Sequence, residues 1–460
     1  MSLSAAAIIR SAFGPEPPVR VEARGEHAGP ENAACRLVFR DDTALAQLAR
    51  APGELGLARA YVAGQLDIEG DLFALLRTRA SGDPVRFGFE ARLAFLAQLG
   101  TGPWRTPPSP PPEEIDLGGR LGRHGLGRDS KAISHHYGVG NVFFELLLGP
   151  SMTYSCAVFE HADDPLALAQ ANKMELICRK LGLEPGMTLL DVGCGWGSLV
   201  RYAAERYGVR ATGITISREQ AAFARQRIQA DNLSHLVDIR LCDYRQLGQK
   251  GGEERFDAIS SVGMAEHVGR RNLGAYFNIL QGLLVPRGRL LNHQIGIGPD
   301  RSRPAGTRAS RVDRDSFVNR YVFPDGELLD VGELVALAQE HNLEVRHVES
   351  LREHYALTTR RWLDNLESNW DQAVTLVGAG RARVWRLYLA GAAVNFELGS
   401  AQIHQVLAVN TALNGSHRGE NGLPLRLVFE RQPLSDTSGE SHSRADSAST
   451  STTLRPHPRI

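Results

Sequence analysis

The chain has 460 residues, 52 Lys and Arg against 52 Asp and Glu, 42% hydrophobic and 23% charged residues. This is the balance of an ordinary globular chain with room for two or three domains and a large core. Zero net charge argues against a dedicated nucleic-acid binder, and no apolar run approaches the ~20 residues of a membrane-spanning helix.

In chain order, residues 1–102 read as a small α+β module. Strands are predicted at Val19–Ala23 and 34–39, and short helices at 43–50 and 55–62. Residues 61–70 read as a turn-rich segment leading into a helix over 72–79. Six prolines between 103 and 112, then glycines and arginines, predict an extended linker over 103–128. Residues 129–432 alternate strands and helices, with strands at Thr188–Val192, 211–215, Val237–Leu241, 258–262 and 289–293. That alternation predicts an α/β fold with a doubly wound, mostly parallel sheet. Residues 433–460 are Ser, Thr, Asp, Arg and Pro with almost no aliphatics, a composition expected to stay disordered.

The start, residues 1–13, has no basic stretch before its apolar patch and does not read as a signal peptide. Five cysteines, at 35, 156, 178, 194 and 242, form no CxxC pair and read as reduced thiols of a cytoplasmic protein. The His and Cys residues lack close metal-ligand spacing, so no metal is expected.

The sharpest local signal is Asp191-Val-Gly193-Cys-Gly195-Trp-Gly197, between an apolar strand and a helix over Ser198–Tyr207. Glycines let the backbone turn sharply and approach a ligand, and the helix start offers free N–H groups. A dinucleotide site would want GxGxxG and an acid ending the second strand. Here that strand ends Gly213-Ile-Thr-Ile-Ser217, without a carboxylate. A phosphate loop would end in GK[ST], which is absent. The spacing instead resembles the first motif of class I S-adenosylmethionine methyltransferases, with Asp243 past the third strand where that fold places an acid near adenine. A turn needed only for packing is the competing reading, and the agreement of strand, turn and helix weighs against it.

Other segments extend the resemblance. They are Ile133-Ser-His-His-Tyr137, Tyr154-Ser-Cys156-Ala157, Ser261-Val-Gly-Met-Ala-Glu-His-Val-Gly269, Asn292-His-Gln-Ile-Gly296 and Glu353-His-Tyr355 through Trp362. Together, over roughly residues 130–430, the chain resembles the cyclopropane-fatty-acyl-phospholipid synthase family. Residues 43–79 look like the front module of its actinobacterial-type branch.

The resemblance implies a reaction. The methyl of S-adenosylmethionine goes to a cis double bond of an unsaturated phospholipid acyl chain, and the resulting carbocation loses a proton to bound bicarbonate. Ring closure gives cyclopropane; a hydride shift first gives a 10-methylene chain, with a separate reductase as partner. The implied bicarbonate site is Cys156, Glu266, His293, Ile295 and Tyr355. Thiol, imidazole, phenol and backbone N–H can all donate to an anion. Glu266 is either protonated or orients His293, and the sequence leaves both open. The implied cofactor site is Tyr154, Ser155, Asp191, Gly193, Gly195, Gly197, Thr215, Ser217 and Gln220, with Asp243, Tyr244 and Arg245 about the adenine. Tyr137 would lie over the cofactor or the acyl channel.

Each of these residues has a plainer reading. Cys156 and Tyr355 alone would be core, Glu266 a helix N-terminal charge and His267 a structural helix residue. Phe143, Phe144, Tyr321, Phe323 and Trp362 are candidates to shield the cation, with core packing as the alternative.

Departures from the family are Gly138 and Val142 in place of two acids, and Ala265 where Phe is common, which would widen the acyl channel or remove a ring. With no membrane span, the expectation is a cytoplasmic protein bound peripherally to the inner membrane surface, helped by the Arg-rich stretch 301–314. A homodimer is implied by resemblance alone. A methyltransferase for a soluble molecule and an inactive lipid-binding homologue are the rival readings.

Overall fold

In the computed structural model, the described residues are 19–23, 25–51, 53–81, 108–115, 140–247, 254–298, 316–324 and 326–411. Tyr137, Gly138, the Arg-rich stretch and the C-terminal tail lie outside them.

The N-terminal strands are β1 (Val19–Ala23), β2 (Glu26–Ala28), β3 (Cys35–Phe39) and β4 (Leu66–Gly70), in sheet order β2-β1-β3-β4. Val19, Val21 and Ala23 alternate with more exposed residues along β1, as Cys35, Leu37 and Phe39 do along β3. That period of two buries one face against the helices Asp42–Arg50 and Glu54–Val62. The first helix starts at Asp41, whose carboxylate accepts from the amides of Thr43 and Ala44.

The segment expected to be turn-rich contains β4. Leu66 and Ile68 alternate with Asp67 and Glu69, and β3 supplies an antiparallel partner. Arg36 reaches Glu69 and Arg40 reaches Asp67 across that pair. The alternation was present in the sequence, but without the partner strand its flanking glycines dominated the reading.

The larger sheet is built from β5 (Thr188–Val192), β6 (Arg210–Thr215), β7 (Val237–Leu241), β8 (Phe256–Val262), β9 (Leu284–Ile297), β10 (Leu343–Ser350) and β11 (Ala401–Asn410). Their order is β10-β11-β9-β8-β5-β6-β7. The run from β9 to β7 is parallel, while β11 pairs antiparallel with both β9 and β10. Central β5 is buried almost throughout because helices cover both faces. β9 runs well beyond the predicted 289–293, and β10 and β11 escaped prediction. β10 is half-exposed and polar, so its strand character comes from pairing with β11.

One core lies on each face of this sheet. A third, rich in aromatics, joins the helices Asn141–Leu148, Arg352–Ser368 and Ala379–Leu398. The helix Ala379–Leu398 also meets the N-terminal module. Arg383 donates to the Tyr61 carbonyl at 3.0 Å, and Arg386 to the Tyr61 hydroxyl at 3.1 Å. Within the predicted linker, residues 108–115 are docked. The Ser109 carbonyl accepts from Gln47, and Ile115 N–H donates to the Arg320 carbonyl at 2.7 Å. No described helix is long and apolar enough to cross a membrane.

Candidate active site

The strand order reverses at β5, with β8 on one side and β6 on the other. Loops leaving the C-terminal ends of parallel strands diverge at such a point and leave a crevice. The glycine loop opens there. Gly193 and Cys194 donate their amides to the Ile214 carbonyl at 3.0 and 2.9 Å, fixing the loop against β6. Gly193 has φ +81°, and a Cβ there would sit 2.4 Å from Met264 Cγ. Only glycine fits both demands.

The crevice is a cavity of about 160 Å³. Tyr154, Ser155, Asp191, Gly193, Gly195, Thr215, Gln220, Asp243, Tyr244 and Arg245 line it, all of them predicted cofactor residues. Gly197 and Ser217 are not on its wall. Gly197 starts the next helix against Ala224, and Ser217 caps the helix Arg218–Ala230 by accepting from Gln220 N–H. Thr215 Oγ1 donates to Gln220 Oε1 at 2.8 Å. Arg245 folds back on Asp243, donating to both carboxylate oxygens at 2.8 Å.

Asp191 is buried and accepts from Ser260 Oγ at 2.7 Å. Burial pushes its carboxyl up to about 6, against the Ser260 hydrogen bond and the nearby Lys173 charge. Lys173 also lines this cavity and donates to Ser155 Oγ at 2.9 Å. Burial lowers its ammonium to about 8. Sequence reading missed Lys173, because a lysine on an amphipathic helix reads as solvated.

A second cavity, of about 710 Å³, shares Tyr154, Ser155, Gly263 and His267 with the first. It is mostly apolar, and the N-terminal module builds part of it through Leu37, Leu57, Ala58, Tyr61, Leu66, Ile68, Leu75 and Leu76. Polar residues interrupt it, Glu54, Asn319, Glu327 and Asn395 among them. Glu266, His293, Ile295 and Tyr355, four of the five predicted anion ligands, line this chamber together.

The details correct several expectations. The Cys156 thiol is fully buried and donates to the carbonyls of Ala157 and Leu351 at 3.2 and 3.6 Å, away from the chamber. Burial raises it above its ordinary range. Ile295 N–H donates to Glu266 Oε1 at 2.7 Å. Glu266 Oε2 and His293 Nε2 find no hydrogen-bond partner among the described residues. Burial lifts Glu266 to about 7, with the Ile295 N–H pulling the other way. His293 is oriented by Gln405 at its Nδ1, 3.0 Å away, so the orienting role considered for Glu266 belongs to another residue.

The aromatic expectations divide. Phe323 lines the chamber, but Phe143, Phe144, Tyr321 and Trp362 do not. Trp362 packs behind Tyr154 and Tyr355, at ring distances of 5.1 and 6.0 Å. Phe144 packs behind Tyr154 at 5.9 Å. The rings that reach the wall include Tyr388 and Phe396, with Phe396 stacked on Tyr355 at 4.5 Å. Both come from the helix Ala379–Leu398. His267, read as structural, lines both cavities. Ala265 is buried in the core under the sheet and lies on neither wall, so its small size widens neither cavity. Val142, 57% exposed, points to solvent.

A mostly parallel seven-stranded sheet with a glycine loop at its switch point, an acid after the third strand and an apolar chamber alongside is the architecture of a class I S-adenosylmethionine-dependent methyltransferase. Comparison narrows the class. A family model described as mycolic acid cyclopropane synthetase matches residues 124–406, and the chain belongs to that family. It is 44% identical to a "Probable fatty acid methyltransferase" of Mycobacterium tuberculosis, over 87% of this chain and 92% of the relative. It is 35% identical to the cyclopropane-fatty-acyl-phospholipid synthase of Escherichia coli, over 61% of this chain and 68% of the relative. Among solved structures, mycolic acid cyclopropane synthase CmaA1 complexed with SAH and CTAB aligns with a TM-score of 0.55 and 32% identity, covering 61% of this chain and 98% of that one.

Proposed function

We propose that this enzyme transfers the methyl carbon of S-adenosylmethionine to the cis double bond of an unsaturated phospholipid acyl chain and that ring closure yields a cyclopropane. Methyl transfer from S-adenosylmethionine to lipid acyl chains is the chemistry of the family; the acceptor and the product are the proposal. The observation that carries it is the contact of the two cavities. A crevice walled by the glycine loop and by side chains such as Asp191, Gln220 and Asp243 meets a larger, more apolar chamber along a wall of Tyr154, Ser155, Gly263 and His267.

In this reading the glycine loop and Asp191 hold the methionine end. Thr215 and Gln220 face the ribose, and Asp243, Tyr244 and Arg245 bracket the adenine. The apolar chamber takes the acyl chain and sets its double bond against the sulfonium methyl. An alkene is a weak nucleophile, so this positioning supplies much of the acceleration. Tyr154, Tyr355, Tyr388 and Phe396 present ring faces or edges to a dry space, where faces stabilise a developing cation.

The unpartnered Glu266 Oε2 and His293 Nε2 fit a small anion such as bicarbonate. Glu266 in its acid form, the His293 ring N–H and the Tyr355 hydroxyl would hold it. Cys156, off the chamber wall with its thiol on backbone carbonyls, takes no part in this reading. Bicarbonate bound there supplies a proton acceptor that does not alkylate readily. The enzyme would work in the cytoplasm, peripheral to the inner membrane surface, where the chamber can receive a chain from the bilayer.

The name of the 44% identical relative, a probable fatty acid methyltransferase, fits a second reading equally well, a methylene-branched product. The test is to incubate pure protein with S-adenosylmethionine and oleoyl phospholipid and examine the released fatty esters by proton NMR. High-field ring protons support cyclopropanation. Exocyclic alkene protons assign the methylene branch and call for a separate reductase. Absence of both products with cofactor bound overturns the proposed acceptor.

A further inference from the structure

Glu349 on β10, Gln405 on β11 and His293 on β9 are successive cross-strand partners. Directly opposed residues share a face of a sheet, so the three side chains form one row. The row runs from a partly exposed carboxylate to a buried imidazole on the wall of the apolar chamber. Lys180, from the helix Leu166–Leu181, lies over it with a fully buried side chain. Its ammonium donates to Gln405 Oε1 at 2.7 Å and also to Glu349. Gln405 Nε2 stands 3.0 Å from His293 Nδ1. Nothing in the family-level reading accounts for Lys180 or Gln405.

We propose that Lys180 and Gln405 are positioning residues that hold His293 as the tautomer with its proton on Nε2, a donor aimed into the chamber. An ammonium has donors and no acceptor. It therefore fixes the Gln405 amide with its oxygen toward Lys180 and its NH₂ toward His293. The NH₂ needs an acceptor, so Nδ1 must carry the lone pair and Nε2 the proton. Were the amide reversed, Gln405 would accept from Nδ1–H, and Nε2 would point a lone pair at any bound anion. Burial, with the nearby charges of Lys173 and Lys180, holds the ring neutral, so the tautomer decides what it offers. A buried lysine is costly unless its donors are used; here one of them orders the Gln405 amide.

The inference rests on the bicarbonate reading only for its catalytic consequence. Its test is the ring-nitrogen NMR of the full-length protein labelled with ¹⁵N-histidine, His293 being assigned by the loss of its signals in His293→Asn. The expected wild-type pattern is a pyrrole-like Nε2 and a pyridine-like Nδ1. Gln405→Glu, close in shape, replaces the NH₂ donor with an acceptor and should put a proton on Nδ1. Lys180→Met should give mixed or reversed tautomers. With both variants, turnover of oleoyl phospholipid should fall about 10- to 100-fold, the range known for groups that orient metal-bound histidines, while S-adenosylmethionine affinity by calorimetry stays at the wild-type value. A wild-type His293 protonated on Nδ1, or ring signals unchanged in both variants, overturns the proposal. Assays with and without added bicarbonate in CO₂-depleted buffer separate the two ideas. If wild-type turnover ignores bicarbonate while the tautomers respond as stated, the anion reading falls and the positioning role stands. If turnover needs bicarbonate and the variants keep wild-type ring signals, the positioning role falls and the anion reading stands. Should Lys180→Met fail to fold, the wild-type pattern and Gln405→Glu still decide.

Discussion

Glu114, in the proline-rich stretch, grips the Arg59 guanidinium with both carboxylate oxygens, each 2.7 Å from a donor. The pair is nearly closed to solvent, with side-chain exposures of 10% and 5%. Tyr321 donates to the same carboxylate at 3.1 Å. Arg59 belongs to the helix that brings Leu57 and Ala58 to the chamber, and Tyr321 to the short helix that brings Phe317. One carboxylate therefore ties two walls of the chamber to the segment between the sheets.

Losing a buried carboxylate that accepts from a guanidinium and a phenol forfeits charge-assisted hydrogen bonds, at a cost of about 1.5–3 kcal/mol. Glu114→Ala should therefore lower the unfolding midpoint clearly. It should depress turnover on phospholipid more than it weakens S-adenosylmethionine binding, since the glycine loop is remote from this contact. Calorimetry and a product assay check the split. Equal loss of both would show that the contact does not act through the chamber.

Glu266 gives a pH dependence of definite sign. Its carboxyl is raised from 4.5 to about 7 by burial. Between those values the folded state holds a proton that the unfolded state has lost, so stability falls as pH rises through that window. Glu266→Gln removes the charged form and keeps the acceptor for Ile295 N–H. The variant should be more stable than wild type at pH 8, by at most about 3 kcal/mol, and the gain should vanish below pH 4.5. Urea unfolding across pH 4–8 measures it; a pH-independent difference would refute the assignment.

Cys156 is fully buried with its thiol on backbone carbonyls. Cys156→Ala should cost about 1 kcal/mol of stability, the range for deleting a small buried group, and leave turnover close to wild type. A collapse of turnover in a folded variant would restore the thiol to the chemistry.

Ala58 faces the chamber from the N-terminal module. Ala58→Phe should shorten the space for the acyl chain. Each methylene left unburied forfeits about 0.8 kcal/mol, so excluding two lowers kcat/KM by about an order of magnitude. The loss should fall on long acyl chains and spare short ones, as chain-length profiling of the products would show. A uniform loss would place the chain elsewhere.

At Gly193, φ +81° and the approach of Met264 act together. Gly193→Ala pays about 1–2 kcal/mol for the left-handed backbone alone and must also displace Met264. S-adenosylmethionine binding should be lost in calorimetry while circular dichroism still reports a folded protein.

The cofactor crevice was readable because its parts are short-range. A strand, a glycine turn and a helix start follow one another in sequence, and their local geometry leaves few alternatives. The same holds for Thr215 to Gln220 after β6 and for Asp243 to Arg245 after β7. Glu266, His293, Ile295 and Tyr355 were legible through resemblance alone, since no local pattern distinguishes a chamber glutamate from a helix-end charge. Resemblance named the positions but not the atoms. It could not show that the Cys156 thiol turns away, or that Ile295 N–H is already taken by Glu266.

By itself the sequence determined the parallel β5–β8 core and the glycine loop, because these follow from periodicity and backbone freedom within a few dozen residues; the kind of cofactor came with the loop's resemblance to a methyltransferase motif. Tertiary structure alone decided which side chains face the chamber. It brought Ala58 to the same wall as Phe396, made Lys180 a buried donor rather than a surface charge, and set Gln405 beside His293. Those choices depend on strand register and helix packing between segments hundreds of residues apart. A shift of one residue in β11 would send Gln405 to the opposite face of the sheet, and no local feature of the chain records that register.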